Sequence, residues 1–483
     1  MSLIKKKAAP AAPQARSDLP YAGLVAENQP ADDGSRMNTN AGKQAGELAL
    51  SAPHLAVVGK TGSSKTRSVL APAAVMWGDR PAIVMASKGD LAELTIRQRA
   101  KNGPVYLLDL SGEVRESELK NVPVTRVISD PCAFADTDDN AMNMASLLHA
   151  VGTLGAGGTG NSSDDSAQWK ALATRPLAAF LRAGGWLPNF EDPDGDPVWG
   201  GGVLWAQDAT LDIGDDINAS AAAEADEDMD SPNWDSAYFR ANGLLGSRHA
   251  QALRAAKKMD PKQRDSIGIN CMMALTPWAM EAVAGDGTGT PFHPSMLEAR
   301  GATLYIVAPF DGSAAPAATA VIMQSITHWR KRVGQLEPLL LVLDELANGA
   351  PLPALPQIVG EARGLGIRLL VGLQSSSQFE PRWGSAQMKV LRDNFPAYLL
   401  MPGVGGAEKE LLEAAAWSTG EEERSTSSVD NVGNVSHAHD RVEAQTAAEL
   451  LPRRRGQARL LTDGGPGILV DLPDIDATNL RAA

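Results

Sequence analysis

The sequence predicts an α/β fold in which a mostly parallel sheet is interrupted by an all-α insert domain. Short apolar runs separated by helix-length segments occur from about residue 48 to 139, and again from about residue 296 onward. Strands that alternate with helices indicate a parallel sheet covered on both faces. Between these two stretches the strand-like runs stop and helical segments take over. The length, 483 residues, suits two or three domains.

Three apolar runs near the beginning of the chain predict strands at His54–Val58, Ala82–Ala86 and Pro104–Leu110. We assign residues 47–139 to the first part of the α/β domain. Residues 1–46 are rich in Ala, Pro, Asn, Asp and Lys and show no periodicity. Such a composition buries little apolar surface, so we expect a disordered N-terminal segment there.

Residues 140–295 are predicted to form the all-α insert. Its expected helices are Asn143–Gly152, Ala167–Gly184, His249–Met259 and Ser266–Ala284. The acidic, glycine-rich stretch 187–235 interrupts them, and we expect it to be a solvated loop.

The α/β domain resumes over residues 296–483. Predicted strands are Thr303–Ala308, Leu339–Leu343, Ile367–Leu373 and Pro396–Met401, followed by a hairpin of Ala458–Leu461 with Gly467–Leu472. The uncharged segment Gly312–Trp329 contains Pro, Gln, Ser, Thr and His, so it predicts a buried or amphipathic helix rather than a membrane span. We expect no transmembrane segment in this chain.

Composition excludes several classes of protein. A net charge of −14 is incompatible with coating nucleic acid by bulk attraction, so any DNA contact must be local. Cys132 and Cys271 are too few for a disulfide framework or a four-thiolate zinc site. His437 and His439 lie close together in a polar stretch that we expect to be a loop, which is weak evidence for a metal site.

The octapeptide at residues 59–66 (GKTGSSKT) matches most of a P-loop, G-x-x-x-x-G-K-[ST]. In that motif backbone N–H groups surround phosphates, the lysine reaches the β and γ oxygens, and the hydroxyl binds magnesium. Ser64 replaces the second glycine, where a Cβ crowds the phosphates or penalises a positive φ. An incidental polar turn is the alternative. The candidate nucleotide-binding residues are Gly59, Thr61, Gly62, Ser63, Ser64, Lys65 and Thr66.

A second motif is the apolar strand Leu339–Leu343 followed at once by Asp344 and Glu345. A buried parallel strand can deliver such carboxylates to the edge of a nucleotide crevice. Asp344, with Thr66, is then the candidate Mg²⁺ ligand, and Glu345 the candidate for polarising the attacking water. The alternative is a strand that ends in a solvated acidic turn.

Two further polar residues are candidates for catalysis. Gln374 ends the strand Ile367–Leu373, where its amide could lie beside a γ-phosphate. Arg363, at the end of a predicted helix Pro356–Arg363, could complete the site of a neighbouring subunit as an arginine finger. A strand-end amide and an exposed helix arginine are the respective alternatives.

With these motifs identified, the chain resembles the conjugative coupling ATPases of the TraG/TraD type. Residues 339–384 resemble that family's signature nearly throughout: a D-E-x-A-N strand end, an L-P-x-L-P helix, E-x-R-x-x-G-I-R and L-Q-S-x-S-Q. The P-loop segment and the Lys-Gly-Asp-Leu segment at residues 88–91 fit as well. The insert corresponds to the family's all-α domain, and residues from about 338 onward to its TraM-recognition region.

The resemblance implies a RecA-like P-loop fold, ATP and Mg²⁺ as cofactors, and roles for the matched residues. Lys65 would bind phosphate, and Thr66 and Asp344 would bind magnesium. Glu345 would activate the attacking water, and Gln374 would sense the γ-phosphate. Arg363 would act as an arginine finger in the site of a neighbouring subunit. It also implies a homo-hexamer with DNA, expected to be single-stranded, in a central pore. The implied partners are relaxase and relaxosome proteins and type IV secretion channel components. Because no membrane helix is predicted, we expect a cytoplasmic protein held at the inner face of the membrane through partners.

Other hypotheses stay open at this point. One is a catalytically weak docking platform for relaxosome proteins, its P-loop impaired at Ser64. Another is a soluble P-loop DNA motor outside conjugation. Basic residues of the insert are weak candidates for DNA contact, namely Arg248, Arg254, Lys257 and Lys258.

Overall fold

The computed structural model describes residues 18–27, 29, 40–119, 121–155, 164–191, 197–214, 231–285, 289–361, 363–429, 435–462 and 464–476. The strands in these residues are β1 Leu24–Val25, β2 His54–Val58, β3 Ala82–Ala86, β4 Val105–Asp109, β5 Thr125–Arg126, β6 Trp186–Glu191, β7 Pro197–Trp199, β8 Thr303–Val307, β9 Leu339–Leu343, β10 Ile367–Leu373, β11 Ala397–Leu400, β12 Glu421–Val429, β13 Val435–Glu443, β14 Gln457–Thr462 and β15 Ile468–Asp471.

The α-helices are α1 Ala71–Met76, α2 Asp90–Asn102, α3 Asp138–Gly155, α4 Asp164–Gly184, α5 Gly202–Leu211, α6 Trp234–Phe239, α7 Ala250–Lys257, α8 Pro261–Leu275, α9 Glu281–Ala284, α10 Ala315–Arg330, α11 Leu346–Gly349, α12 Leu355–Glu361, α13 Glu380–Asn394, α14 Lys409–Trp417 and α15 Ala447–Leu450. The chain separates into two compact units. The first unit contains residues 1–78, 368–376 and 395–483, and the second contains residues 79–367 and 377–394.

The sheet of the first unit is mixed. Strand β2 pairs in parallel with β10 on one side and with β11 on the other. Strands β11, β14 and β15 follow as antiparallel neighbours, and β1 adds an antiparallel edge to β15. Every side chain of β2 and β10 is buried, as expected of inner strands covered on both faces.

The second unit has an antiparallel pair, β6 with β7, and a main sheet whose strands pair in parallel. β3 lies between β9 and β8, and β4 pairs with β8 and with the short edge strand β5. β3, β8 and β9 are buried along their whole length. These parallel strands and the intervening helices confirm the predicted α/β fold class.

Most predicted strands have the expected bounds to within one residue, and the hairpin of β14 with β15 is confirmed. Most of segment 312–329 belongs to the helix α10, and most side chains of that helix are buried, as predicted. In the described part of the chain, no helix combines the length and the apolar character that a membrane span requires.

The helices α3–α9 lie between β5 and β8 in sequence, where the insert is predicted. The expectation of a loop over 187–235 is wrong for much of that stretch, because β6, β7, α5 and the start of α6 lie within it. Helix α5 has a short apolar face, because Val203, Ala206 and Ala209 are buried. The acidic composition of the stretch as a whole obscures this face in the sequence. Trp234 is buried at the start of α6, which Asn233 caps. Residues 215–230 lie outside the described residues.

Two further expectations differ from the structure. Residues 18–27 are not disordered: β1 pairs with β15, and Val25 is buried by that contact. His437 and His439 lie in strand β13, paired with β12, rather than in a loop. Strand β13 has a polar sequence and is paired through its main chain. It therefore lacks the alternation of apolar and polar residues by which a strand is predicted from sequence.

The approach to β8 is tightly packed in the second unit. Gly301 has φ +70°, and a Cβ there would lie 2.1 Å from the carbonyl oxygen of Asn102. Gly334 has nearly the same φ, +74°, but a Cβ there would meet nothing within 4 Å. The two glycines therefore separate the cost of backbone strain from the cost of a steric clash.

We predict that Gly301→Ala destabilises the protein by more than about 2 kcal/mol, because about 1 kcal/mol of left-handed strain adds to a backbone clash. Gly334→Ala is the control, and it should lose only the stability that left-handed strain costs. Thermal unfolding of both variants measures the difference. Equal shifts in Tm would contradict the packing described for Gly301.

Candidate functional site

The P-loop lies at the carboxyl end of β2 in the first unit. The Gly59 N–H donates to the Leu373 carbonyl at 3.0 Å, and the Met401 N–H donates to the Val58 carbonyl at 2.8 Å. The carboxyl ends of β2, β10 and β11 therefore meet at one edge of the sheet. The residues that follow each strand are brought together there, including the P-loop and Gln374.

Position 59 requires a glycine because neighbouring atoms lie too close for a side chain, and not because of its φ. A Cβ at this position would lie 2.6 Å from Ser63 Oγ and 2.7 Å from Met401 Cβ. Such distances force the loop or the neighbouring strand to move. The first glycine of the motif is thus fixed by packing of β2 against the end of β11.

The middle of the loop adopts left-handed backbone at two positions. Gly62 has φ +81°, and Ser64 has φ +68°. Ser64 therefore has the positive φ that makes a glycine favourable at its position, at a cost of about 1 kcal/mol. Hydrogen bonds hold the turn: the Ser63 N–H donates to Lys60 O at 3.1 Å, and the Ser68 N–H to Ser64 O at 2.9 Å.

Two polar groups of the loop fit a phosphate ligand. Lys65 Nζ donates to the Gly59 carbonyl, so the amine lies over the loop rather than extending away from it. Ser63 Oγ is buried and has no hydrogen-bond partner among the described residues. Thr61 is exposed at the turn, and Thr66 begins the helix that follows. A buried hydroxyl without a partner, in a loop that also carries a lysine amine, suits an anion.

Gln374 is exposed and follows Leu373, the residue whose carbonyl binds the Gly59 N–H. The loop after it is held by Glu408, which sequence analysis did not identify. The Ser376 N–H donates to Glu408 Oε1 at 2.8 Å, and Glu408 is 1% exposed. A buried carboxylate on a distant segment gives no local sequence signal, so only the fold reveals this contact.

Asp344 and Glu345 belong to the second unit, at the carboxyl end of β9. The Asp344 N–H donates to the Met85 carbonyl of β3 at 2.9 Å, which fixes the point where the strand ends. Glu345 then turns the chain with φ +55°, and its carbonyl accepts from the N–H groups of Asn348 and Gly349 at 3.0 Å. Both carboxylates are half-buried at the sheet edge.

Arg363 is not on a helix, contrary to prediction. Helix α12 ends at Glu361, and Arg363 is exposed in the turn that leads to β10. The Gly366 N–H donates to Arg363 O, and the Leu339 N–H to Gly366 O, so this turn lies at the amino end of β9. Asp344 is at the other end, about 16 Å away for five residues at about 3.3 Å each. Arg363 therefore lies at the sheet edge opposite to Asp344.

Left-handed backbone at residues other than glycine is concentrated in the two motifs. Among the described residues, the non-glycine residues with positive φ are Ser64, Asn121 and Glu345. Asparagine tolerates this conformation, whereas serine and glutamate do so at a cost. Strain of this kind persists where the surrounding structure imposes it, and it is concentrated at functional sites.

The basic residues considered for DNA contact are partly engaged within the insert. Lys257 Nζ contacts Asp235 at 2.6 Å and its side chain is only 15% exposed. Arg248 pairs with Asp138 at 3.4 Å and with Asp139 at 3.3 Å. These contacts favour a structural role for Lys257 and Arg248.

Two family models match the chain. The model described as "Type IV secretory system Conjugative DNA transfer" matches residues 15–119, which include the P-loop. The model described as "TraM recognition site of TraD and TraG" matches residues 338–455, which include Asp344, Glu345, Arg363 and Gln374. The two matches support a TraG/TraD-type conjugative coupling protein. No curated protein sequence matches it.

Solved structures of other proteins are similar to this chain in fold. The unbound bacterial conjugative coupling protein TrwBdeltaN70 is 17% identical, with a TM-score of 0.50 over 89% of this chain and 87% of that chain. TrwB bound to the GTP analogue GDPNP is 17% identical, with a TM-score of 0.50 over 87% and 85%. VirB4 of Thermoanaerobacter pseudethanolicus is 14% identical, with a TM-score of 0.49 over 96% and 98%. The TrwB similarity confirms the predicted RecA-like P-loop fold.

We predict that Ser64→Gly stabilises the protein by about 0.5–1 kcal/mol, because removing left-handed strain outweighs the added entropy of the unfolded chain. Ser64→Ala is the matched control, since it removes the hydroxyl but keeps the Cβ. Thermal unfolding should show a higher Tm for the glycine variant only. A gain of similar size in both variants would mean that the hydroxyl, and not the backbone, is the source of strain.

Proposed function

We propose that this coupling protein is an ATPase that binds ATP with Mg²⁺ and uses hydrolysis to move DNA toward a type IV secretion channel. The observation that carries the proposal is the pair of strained turns, Ser64 in the P-loop and Glu345 after β9. Each turn follows a buried parallel strand and presents a residue type required for phosphoryl transfer. TrwB, whose fold the chain shares, has been solved with a triphosphate analogue bound.

The roles of the residues follow from their chemistry. Lys65 and the backbone N–H groups of the P-loop would bind the phosphates, and Ser63 Oγ is a further donor. Thr66 and Asp344 would hold Mg²⁺, which neutralises charge on the phosphate oxygens when bound. Glu345 would accept a proton from the attacking water, and Gln374 would contact the γ-phosphate. A serine at position 64 is compatible with this arrangement, because the loop already has the required backbone.

The partners form part of the same proposal. The two family models support DNA and relaxosome proteins as partners. We propose a homo-hexamer that encloses single-stranded DNA in its centre and meets channel components at the membrane. An active site shared between adjacent subunits is supported by Arg363, an exposed cation at the sheet edge opposite to Asp344. A cation so placed cannot reach the magnesium ligand of its own sheet edge, but it suits the site of an adjacent copy.

The direct test is steady-state hydrolysis of ATP with and without single- and double-stranded DNA. We expect Lys65→Ala to abolish turnover. Glu345→Gln should reduce kcat by at least about 100-fold while retaining nucleotide binding, because general-base catalysis contributes about 10² to 10⁴. Lys409→Ala removes an exposed lysine of the first unit and is the control. Equal turnover by wild type and Lys65→Ala would refute the assigned site, and ATP binding without turnover in wild type would favour a docking platform.

A second test addresses Arg363. Arg363→Ala and Lys65→Ala should each be inactive alone, yet mixing them should restore activity, since mixed boundaries combine an intact Lys65 with an intact Arg363. Hydrolysis measured against the mixing ratio gives the result. Arg363→Lys is the control for charge, because lysine lacks the planar guanidinium. If mixtures stay as inactive as their components, Arg363 does not act in a neighbouring site.

A further inference from the structure

The helix after the P-loop begins with a π-helical turn, Thr66–Leu70. In this turn the Ala71 N–H donates to Thr66 O, five residues back, rather than to Arg67 O. With the same spacing, the carbonyl of Arg67 would need the N–H of residue 72, which is proline and has none. The helix itself therefore provides no partner for Arg67 O in either register.

A distant segment supplies the missing donor. The Ile475 N–H donates to Arg67 O at 3.1 Å, and the Ile475 side chain is 1% exposed. On the same residue, Arg67 Nε and Nη2 donate to the two carboxylate oxygens of Asp474 at 2.8 and 2.7 Å, and Nη2 also donates to Asp476. We call residues 474–476 the clasp.

The clasp is more than a surface ion pair. The Arg67 side chain is 41% exposed, and an isolated pair of that exposure contributes little. Here the bidentate geometry, the main-chain bond and the burial of Ile475 act on one residue of the helix. The Asp476 N–H also donates to Asp474 Oδ1 at 2.9 Å, which orients that carboxylate. The hydrogen bonds that Arg67 donates to Asp474 and Asp476 raise the pKa of its guanidinium, so the arginine stays charged.

We propose that the clasp is a positioning element of the nucleotide site, acting through Arg67 on Lys65 and Thr66. The inference rests on the proposed function. Arg67 directly follows Thr66, so a shift of its backbone displaces the first turn of the helix and with it the lysine and the hydroxyl. Small displacements of this kind reduce binding and catalysis without removing any contact to the ligand. Affinity for nucleotide thus depends on residues some four hundred positions away in sequence.

The test variant combines Asp474→Asn with Asp476→Asn. The control is Glu413→Gln, which weakens an exposed carboxylate–lysine pair in the same unit. Hydrogen exchange of peptides covering residues 60–76 reports on the helix directly. Titration with a fluorescent ATP analogue gives Kd. We expect faster exchange at residues 65–71 and an increase in Kd of about five-fold, which is about 1 kcal/mol, with no change in the control. Both measurements are made well below the Tm of each variant.

Reversing the charges of the Arg67–Asp474 pair distinguishes a positioning role from a loss of folding. Arg67→Asp and Asp474→Arg should each weaken nucleotide binding, whereas the double variant should recover most of it. Unchanged exchange and affinity, or an additive double variant, would overturn the proposal. Faster exchange with unchanged Kd would also overturn it, because the clasp would then be structural only. A wild type that binds no nucleotide would refute the proposed function and the positioning role together, whereas a nucleotide-binding wild type with an insensitive clasp would refute the latter alone.

Discussion

The turn out of β2 is the constraint on which the first unit depends. Gly59 is confined by Ser63 and Met401, and its N–H is bound to Leu373. No other residue type fits at that position without moving a strand or the loop. Because the loop begins in a fixed place, the side chains that follow, Lys65 in particular, are delivered to the edge where β10 and β11 also end.

Both motifs use a residue that is unfavourable where it stands. Ser64 and Glu345 have left-handed backbone, and in each case the turn is held by hydrogen bonds to the carbonyl of the strained residue itself. These bonds, together with the buried strands before them, supply the stabilisation that offsets about 1–2 kcal/mol of strain per residue. Strain supported in this way marks the turns as shaped by a requirement other than stability.

The acidic total of the chain does not conflict with a DNA-moving ATPase. Several basic side chains of the insert are neutralised by neighbours, as Lys257 is by Asp235 and Arg248 by Asp138. Net charge describes solubility and long-range attraction, and not the local groove that a nucleic acid meets. The same pairs show how an acidic insert keeps its helices together, since Arg248 also ties the start of α7 to the start of α3.

The sequence by itself determined the parallel strands, the two motifs and the resemblance to coupling proteins, because buried strands carry continuous apolar runs and phosphate chemistry demands particular residue types at fixed spacing. It could not determine β1, β13 or α5, whose stability comes from partners distant in sequence. Glu408 and the clasp on Arg67 were invisible for the same reason. Tertiary structure alone decided that Arg363 lies in a turn at the sheet edge opposite to Asp344, since only strand pairing fixes which end of a sheet a residue occupies.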